Sequence, residues 1–308
     1  MPDYHTLTSK YEFTSNNVVV VGGTSGIGAA IAIRFAELGA SVFIVGRSSS
    51  AAAEVVSKMR AVSKNDSASL EFAKRDLSIV DEMKATVEEI ATWAGASGVQ
   101  YLIQSQGGPA SGMVTVPPTV KSMTMGFNVQ ILSHFVIPYL LINRPEPVLR
   151  NWAQVCNIAR PGEKGRPIDL DDFRFLKSVE AGTFKLRSGL MTFPFILDLF
   201  TQEFNARAPG VHTTHIYPGT VSTGLYERPG VPWWLRLIGS ILSWFGRTPA
   251  QYADIAVWEI AGTEAKSLTR TFWDQHGREV DVDERVKNDT QLRDAVWEKL
   301  LQLGDVQP

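Results

Sequence analysis

The stretch VVVVGGTSGIG, Val18 to Gly28, carries residues suited to holding an anion. A run of valines ends in Gly22, and Gly26 and Gly28 follow at the spacing G-x-x-x-G-x-G, with Thr24, Ser25 and Ile27 between them. Glycine allows backbone angles and close approaches that a Cβ would block. A helix opening just after such a turn aims free N–H groups and the positive end of its dipole at the same spot, where a pyrophosphate fits. A glycine turn between a buried strand and a helix, in the first unit of the chain, is the context a dinucleotide site requires. Arg47 ends the next apolar run, 19 residues after Gly28. A site for NAD keeps an acidic residue on the ribose hydroxyls about 20 residues past the glycines. A guanidinium there suits a 2′-phosphate instead, which points to NADP(H); the plainer alternative is a solvated loop arginine.

Groups able to move a proton are fewer. Arg160 can bind a carboxylate or a developing oxyanion but does not release its proton at neutral pH. Asp169, Asp171 and Asp172 form D-x-D-D, which reads as an acid or metal cluster, or more simply as a solvated loop with Asp169 capping a short helix. His134, inside an apolar helix pattern, and His215, on a strand, fit packing or a structural hydrogen bond. Tyr226 carries a phenol at the start of a Trp-rich stretch. Cys156 lies within an apolar strand and reads as an inert core thiol.

These residues must be placed by short apolar runs that alternate with longer helical patterns. The runs are 17–21, 41–45, 69–73, 100–104, 153–158, 211–216 and 269–273. Helical patterns cover about 26–38, 49–60, 79–94, 119–142, the segment from Phe184, 249–262 and 289–303. Continuous apolar strands, buried on both faces, imply a parallel sheet with helices on each side. The expectation is one α/β domain over 1–308, a Rossmann-type doubly wound, seven-stranded sheet. The gap 159–182 is too polar for core, and a loop of that length is often functional.

The totals exclude several classes. The 308 residues carry a formal net charge of −2, so no global field draws nucleic acid. Cys156 is the single cysteine, which excludes an intrachain disulfide and a cysteine-built zinc site. No apolar run reaches about 18 residues, so no spanning helix is expected. The start lacks the apolar core of a signal peptide, and a cytoplasmic protein is the simplest reading.

Nearly the whole chain resembles the short-chain dehydrogenase/reductase family. RDLS matches the site where Asp76 and Leu77 flank the adenine. IQSQGG stands where the family has Asn-Asn-Ala-Gly and keeps Gly107. YPGTVST matches the Pro-Gly-x-Val-x-Thr segment, so Pro218, Gly219, Val221 and Thr223 are implied at the cofactor. The tail is similar to retinol-dehydrogenase-like members, and the loop GEKGRPIDLDD to fungal oxidoreductases. The catalytic positions depart from the pattern. Gln130 stands for the helix Asn, Arg160 for a Ser, and Phe184 and Ser188 for the Tyr and Lys of Tyr-x-x-x-Lys. General acid–base help is worth about 10²–10⁴-fold, so its loss is large without forbidding hydride transfer.

The segment at about 224–248 covers the substrate in the family. Trp233, Trp234 and Trp244 in it imply a bulky apolar small molecule, while a membrane-interface contact or simple packing are the alternatives. The helix after Phe184 often carries a subunit contact, and Pro194 should kink it, which leaves a homo-oligomer open. The leading reading is an NADP(H)-dependent oxidoreductase with a non-standard acid, drawn from Arg160, Gln130 and Tyr226, with fungal secondary metabolism as the setting that the resemblance implies. A cyclase, isomerase or dehydratase using the same pocket is the first alternative, and a ligand sensor without turnover the second.

Overall fold

The computed structural model describes residues 2–107, 118–223, 246–261 and 270–307, the side chains of 151, 186–188 and 190 excepted. Seven parallel strands form one sheet among these residues, in the order β3-β2-β1-β4-β5-β6-β7. They are β1 (Asn17–Val21), β2 (Ser41–Gly46), β3 (Leu70–Lys74), β4 (Val99–Gln104), β5 (Leu149–Ile158), β6 (Val211–Ile216) and β7 (Phe272–Trp273). The helices are α1 (Tyr4–Thr8), α2 (Gly26–Glu37), α3 (Ser49–Val62), α4 (Val80–Ala94), α5 (Val120–Phe127), α6 (Ser133–Asn143), α7 (Leu176–Glu180), α8 (Leu186–Arg207), α9 (Pro249–Ala261), α10 (Glu284–Asn288) and α11 (Thr290–Gly304). The doubly wound sheet is the expected one.

Strand alternation sorts the core into two layers. Val19, Val21, Phe43 and Val45 face a cluster that includes Met83, Phe135, Phe200 and Trp297. Val18, Val20, Val42 and Ile44 face the other way, onto Ile31, Phe35, Tyr252 and Ile260. With both faces covered, β1 and β2 have no solvent side, which is why they read as unbroken apolar runs. The Trp297 ring meets Phe135 and Phe204 edge-on, each at 4.8 Å between centroids, and so joins α6, α8 and α11. Such ring pairs add about 0.5–1.5 kcal/mol beyond their burial.

Two sequence expectations change in detail. The single helix expected over 119–142 is α5 and α6 joined by a π-turn at Asn128–Leu132. Val120–Asn143 as a whole is long and apolar enough to cross a membrane, yet 72% of its apolar window is buried within the protein, where it serves as a core helix. β7 is also shorter than the expected 269–273, and only Phe272 and Trp273 pair with β6.

The long loop between β5 and α8 is tied down at several points. The Gly162 N–H donates to Asp198 Oδ2 at 2.9 Å, and the Gly165 N–H to Asp283 Oδ2 at 2.7 Å. Asp169 Oδ1 accepts from the N–H groups of Asp171 and Asp172, so it caps a turn rather than a helix. Asp172 accepts from the N–H groups of Lys177 and Ser178 at the start of α7. The D-x-D-D cluster therefore acts as turn chemistry. No metal-holding group of His, Cys, Asp and Glu exists among the described residues.

Candidate functional site

β1 has β2 on one side and β4 on the other, so the strand order reverses at its C-terminal end. Ligands of open α/β sheets bind in the crevice at such a switch point. A cavity of about 490 Å³ lies there. Its floor is the glycine turn: Gly22, Thr24, Ser25, Gly26 and Ile27. Gly22 has φ +80, and a Cβ on it would stand 2.7 Å from the Gln106 backbone nitrogen. A Cβ on Gly28 would collide with the Gly22 carbonyl oxygen. Each glycine thus solves a separate steric problem, one between β1 and β4 and one between the turn and α2.

The walls come from the neighbouring strand ends. Arg47, Ser48 and Ala51 line the cavity beyond β2, and Arg75 and Leu77 beyond β3. Ser105, Gln106 and Gly107 follow β4, Ile158 ends β5, and Pro218 and Thr223 follow β6. Val129, on the π-turn, closes the side. Gln130 stands next to this wall, with its Cγ 3.7 Å from where a Gly107 Cβ would be. The glycine floor, the start of α2 and the cation beside α3 form a cradle with room for a dinucleotide.

Most of the residues expected at a cofactor meet here. Gly28, Asp76, Gly219 and Val221 do not line the cavity. Gly28 packs beneath it, and Asp76 Oδ1 accepts from the Ser78 N–H at 3.1 Å, shaping the turn after β3. Gly219 lies against the Gln275 side chain, and Val221 bridges to Arg247. Sequence reasoning passed over Arg75, Ser105, Gln106, Val129 and Ile158. Their signal was positional, since each directly follows or ends a strand, or flanks Gln130 on the π-turn. Tyr226, Trp233, Trp234 and Trp244 lie outside the described residues.

A family profile for short chain dehydrogenase matches residues 16–143. Polyprenol dehydrogenase of Homo sapiens is 26% identical over 259 residues, 81% of this chain and 74% of that protein. Retinol dehydrogenase 11 of Homo sapiens is 26% identical over 255 residues, with the same shares. A solved short chain dehydrogenase from Burkholderia cenocepacia in complex with NADP has TM-score 0.62 and 18% identity, covering 90% of this chain and 99% of that one. Over residues 16–143 the chain matches the short-chain dehydrogenase/reductase family.

The positions read as replacing the family's Tyr and Lys are not one turn apart on a helix. Lys185 is the N-cap of α8 and Phe184 precedes it. The N–H groups of Thr183 and Phe184 both donate to the Ser178 carbonyl, which folds this segment back onto α7 and keeps 184 off the helix. The Phe184 ring packs 5.5 Å from Phe175 and lies over Gly189, where a Cβ would meet it at 2.6 Å. The expectation that a helix opens at Phe184 is therefore corrected, because α8 starts at Leu186. The face of α8 turned to the strand ends lies further along. Asp198 binds the Gly162 N–H, and Asn157 Nδ2 donates to Thr201 Oγ1 at 3.3 Å. Pro194, one turn earlier, is half-buried among buried neighbours.

Arg160 follows β5 but does not line the cavity. Its side chain is 58% exposed, its Nε lies 3.4 Å from Glu163 Oε1, and its guanidinium stands 6.0 Å from the Tyr217 ring centroid. The two histidines are structural in placement, as expected. His134 Nε2 lies 2.9 Å from the Gln106 carbonyl and Nδ1 3.0 Å from Asn157 Oδ1. Burial lowers its pKa from 6.5 to about 4. His215 Nδ1 pairs with Asp198 Oδ1 at 2.7 Å, both fully buried. Burial raises the Asp198 pKa against the pull of His215 and the Gly162 N–H. Burial also pushes the Cys156 thiol well up, consistent with an inert core residue.

Proposed function

We propose that this protein is an NADP(H)-dependent oxidoreductase that acts on a bulky apolar small molecule through a non-standard proton path. The observation that carries the cofactor is the cavity at the switch point, with Arg47 on its β2 side where an acidic residue would serve NAD. The residues present fit the group. The N–H groups at the turn and the start of α2 would hold the pyrophosphate, Arg47 the 2′-phosphate, and Leu77, Val129 and Ile158 would supply apolar walls. When bound, NADP(H) supplies or takes the hydride. The chain's own part is to hold and orient that group.

The substrate class rests on the tryptophans of 224–248 and on relatives named for polyprenol and retinol. Arg160, Gln130 and Tyr226 remain the proposed groups around the reacting oxygen, with Tyr226 as the one able to exchange a proton and Gln130 as a hydrogen-bonding partner. The test is NADPH consumption against long-chain prenyl and retinoid aldehydes, with product identified by mass. Reduction of any of them at a rate lost in Arg47→Gln at low NADPH supports the reading. No consumption across the panel, with the cofactor bound, counts against it.

One observation favours a second reading. Among the described residues that line the cavity, none is a carboxylate, imidazole, phenol, thiol or amine. That lining lacks the acid and base of carbonyl reduction, so the second reading is a cyclase, isomerase or dehydratase that takes its acid–base groups from outside this lining, with NADP(H) bound without turning over. Substrate conversion without a change in NADPH would select that reading.

A further inference from the structure

At the end of the sheet opposite the cavity, one side chain is held out of the core. Trp152 is 78% exposed, more than any other large apolar residue among those described. Its backbone has φ +73, a conformation that bulky residues rarely adopt. The register explains its placement. Val99 pairs with Leu149 and Tyr101 with Gln154, so β5 uses five residues where β4 uses two. The extra residues form a bulge, and the Trp152 N–H donates to the Gly210 carbonyl at 2.8 Å. The chain thus keeps a large ring in solvent at a cost in both strain and hydration.

A hole lies at the same end. A cavity of about 260 Å³ sits where α6 and α8 finish beside α11, walled by Tyr139, Phe204 and Trp297. Ala208, two residues before the Gly210 that holds Trp152, also lines it. Drug-sized ligands take sites of about 300 Å³ and more, so this space suits one large side chain. On its rim the Arg207 guanidinium stands 4.7 Å from the Trp297 ring centroid and is 39% exposed, open to a second indole. The charges around knob and hole are complementary. Arg150, two residues from Trp152, is exposed and bonds the carbonyls of Pro147 and Ala96 but no carboxylate. Glu298, at the hole, is exposed and in no ion pair among the described residues.

We infer that this end is a homodimer interface, in which Trp152 of each copy fills the hole of the other and Arg150 of each faces Glu298 of the other. Knob and hole share one end, so a single twofold axis satisfies both contacts and closes the assembly. Each ring hides about 150–250 Å² of its own surface and a like area of its hole. Over two copies that is about 600–1,000 Å², and the charged rim brings it to the roughly 1,200 Å² of the smaller stable interfaces. The partner is therefore a second copy of this chain, held by a Trp-centred contact away from the cofactor cavity.

The experiment is sedimentation velocity of the full chain over a concentration series, with circular dichroism as the fold check and NADPH titration as the control. The variants are Trp152→Ala, Trp152→Gly, Ala208→Phe, Arg150→Glu, Glu298→Arg and the last two combined. Wild type is expected to form a dimer and nothing larger. Truncating a hot-spot residue costs about thirtyfold in affinity, and each dimer loses two, so Trp152→Ala should weaken it by about 10³-fold. Trp152→Gly, which also relieves the positive φ, should lose the dimer equally with the fold intact. Ala208→Phe obstructs the hole and should act likewise without touching Trp152. Each charge reversal alone should weaken the dimer roughly tenfold, and the two together should restore it. NADPH affinity should stay unchanged throughout. A wild type that is monomeric at every concentration overturns the inference, as does a dimer that Trp152→Ala leaves intact. A monomer that binds vesicles of phosphatidylcholine and phosphatidylserine, and loses them in Trp152→Ala, would assign the ring to a lipid surface instead and overturn it too.

Discussion

Replacing Gly22 with alanine probes the point where the turn and the sheet meet. Its φ of +80 is disfavoured for any residue with a Cβ, at a cost of about 1–2 kcal/mol. The new methyl would also stand 2.7 Å from the Gln106 nitrogen, 2.8 Å from the Ser105 carbonyl carbon and 2.9 Å from the Gln106 Cα. All three are backbone atoms, so no side chain can swing aside. Overpacking of that kind costs about 1–3 kcal/mol. The sum, about 2–5 kcal/mol, corresponds to a fall of roughly 3–8 °C in Tm for 308 residues. Relief requires the turn or the 105–107 segment to move, and both line the cavity, so NADPH affinity should fall at least about tenfold. Gly182→Ala is the control, because Gly182 also has positive φ but nothing lies within 4 Å of its Cβ position. Differential scanning calorimetry with and without NADPH separates the terms. A Gly22→Ala protein with wild-type Tm and wild-type NADPH affinity would refute the steric account.

Three further outcomes follow from named contacts. Glu259 is buried, and burial raises its pKa well above 4.5. The folded state therefore binds the extra proton above pH 4.5, stability falls as pH rises by up to about 1.4 kcal/mol per unit, and Glu259→Gln should flatten that slope in urea melts at several pH values. Asp198→Asn removes one partner of the buried pair with His215 and should cost about 3–5 kcal/mol by chemical denaturation; a loss under about 1 kcal/mol would mean that the pair does not brace the β5–α8 loop. Phe184→Tyr with Ser188→Lys should give no gain in carbonyl reduction, since residue 184 stands before α8 with its ring against Phe175 and Gly189, and a robust gain in NADPH oxidation would contradict that placement.

Much of the fold was legible because its signals are local. Val18 to Val21 have no solvent face, so the strand could not be hidden by alternation, and Gly22, Gly26 and Gly28 mark where the backbone must turn and pack. Arg47 was legible for a related reason, since it ends a clear strand. Arg75 was not, because its partner in the cavity is 28 positions away and only the β2–β3 register brings them together. The helix N-terminus at α8 was misplaced because TFKLRSG has good helix formers, while the hydrogen bonds from Thr183 and Phe184 to Ser178 that delay the helix are not visible in a helical pattern. The π-turn at Asn128–Leu132 was hidden in the same way, inside a continuous apolar run. The gap at 159–182, read as too polar for core, holds α7 and the buried Phe173, and its tethers to Asp198 and Asp283 are long-range and carry no local signature.

The central claim is that the cavity at the β1–β4 switch point is a site for NADP(H). Soaking or co-crystallising the full chain with NADPH and determining the structure tests it most directly. The account predicts the pyrophosphate over Gly22–Gly28 at the start of α2, with the 2′-phosphate against Arg47. Density for the cofactor elsewhere, or a bound molecule whose 2′-phosphate faces away from Arg47, would contradict it.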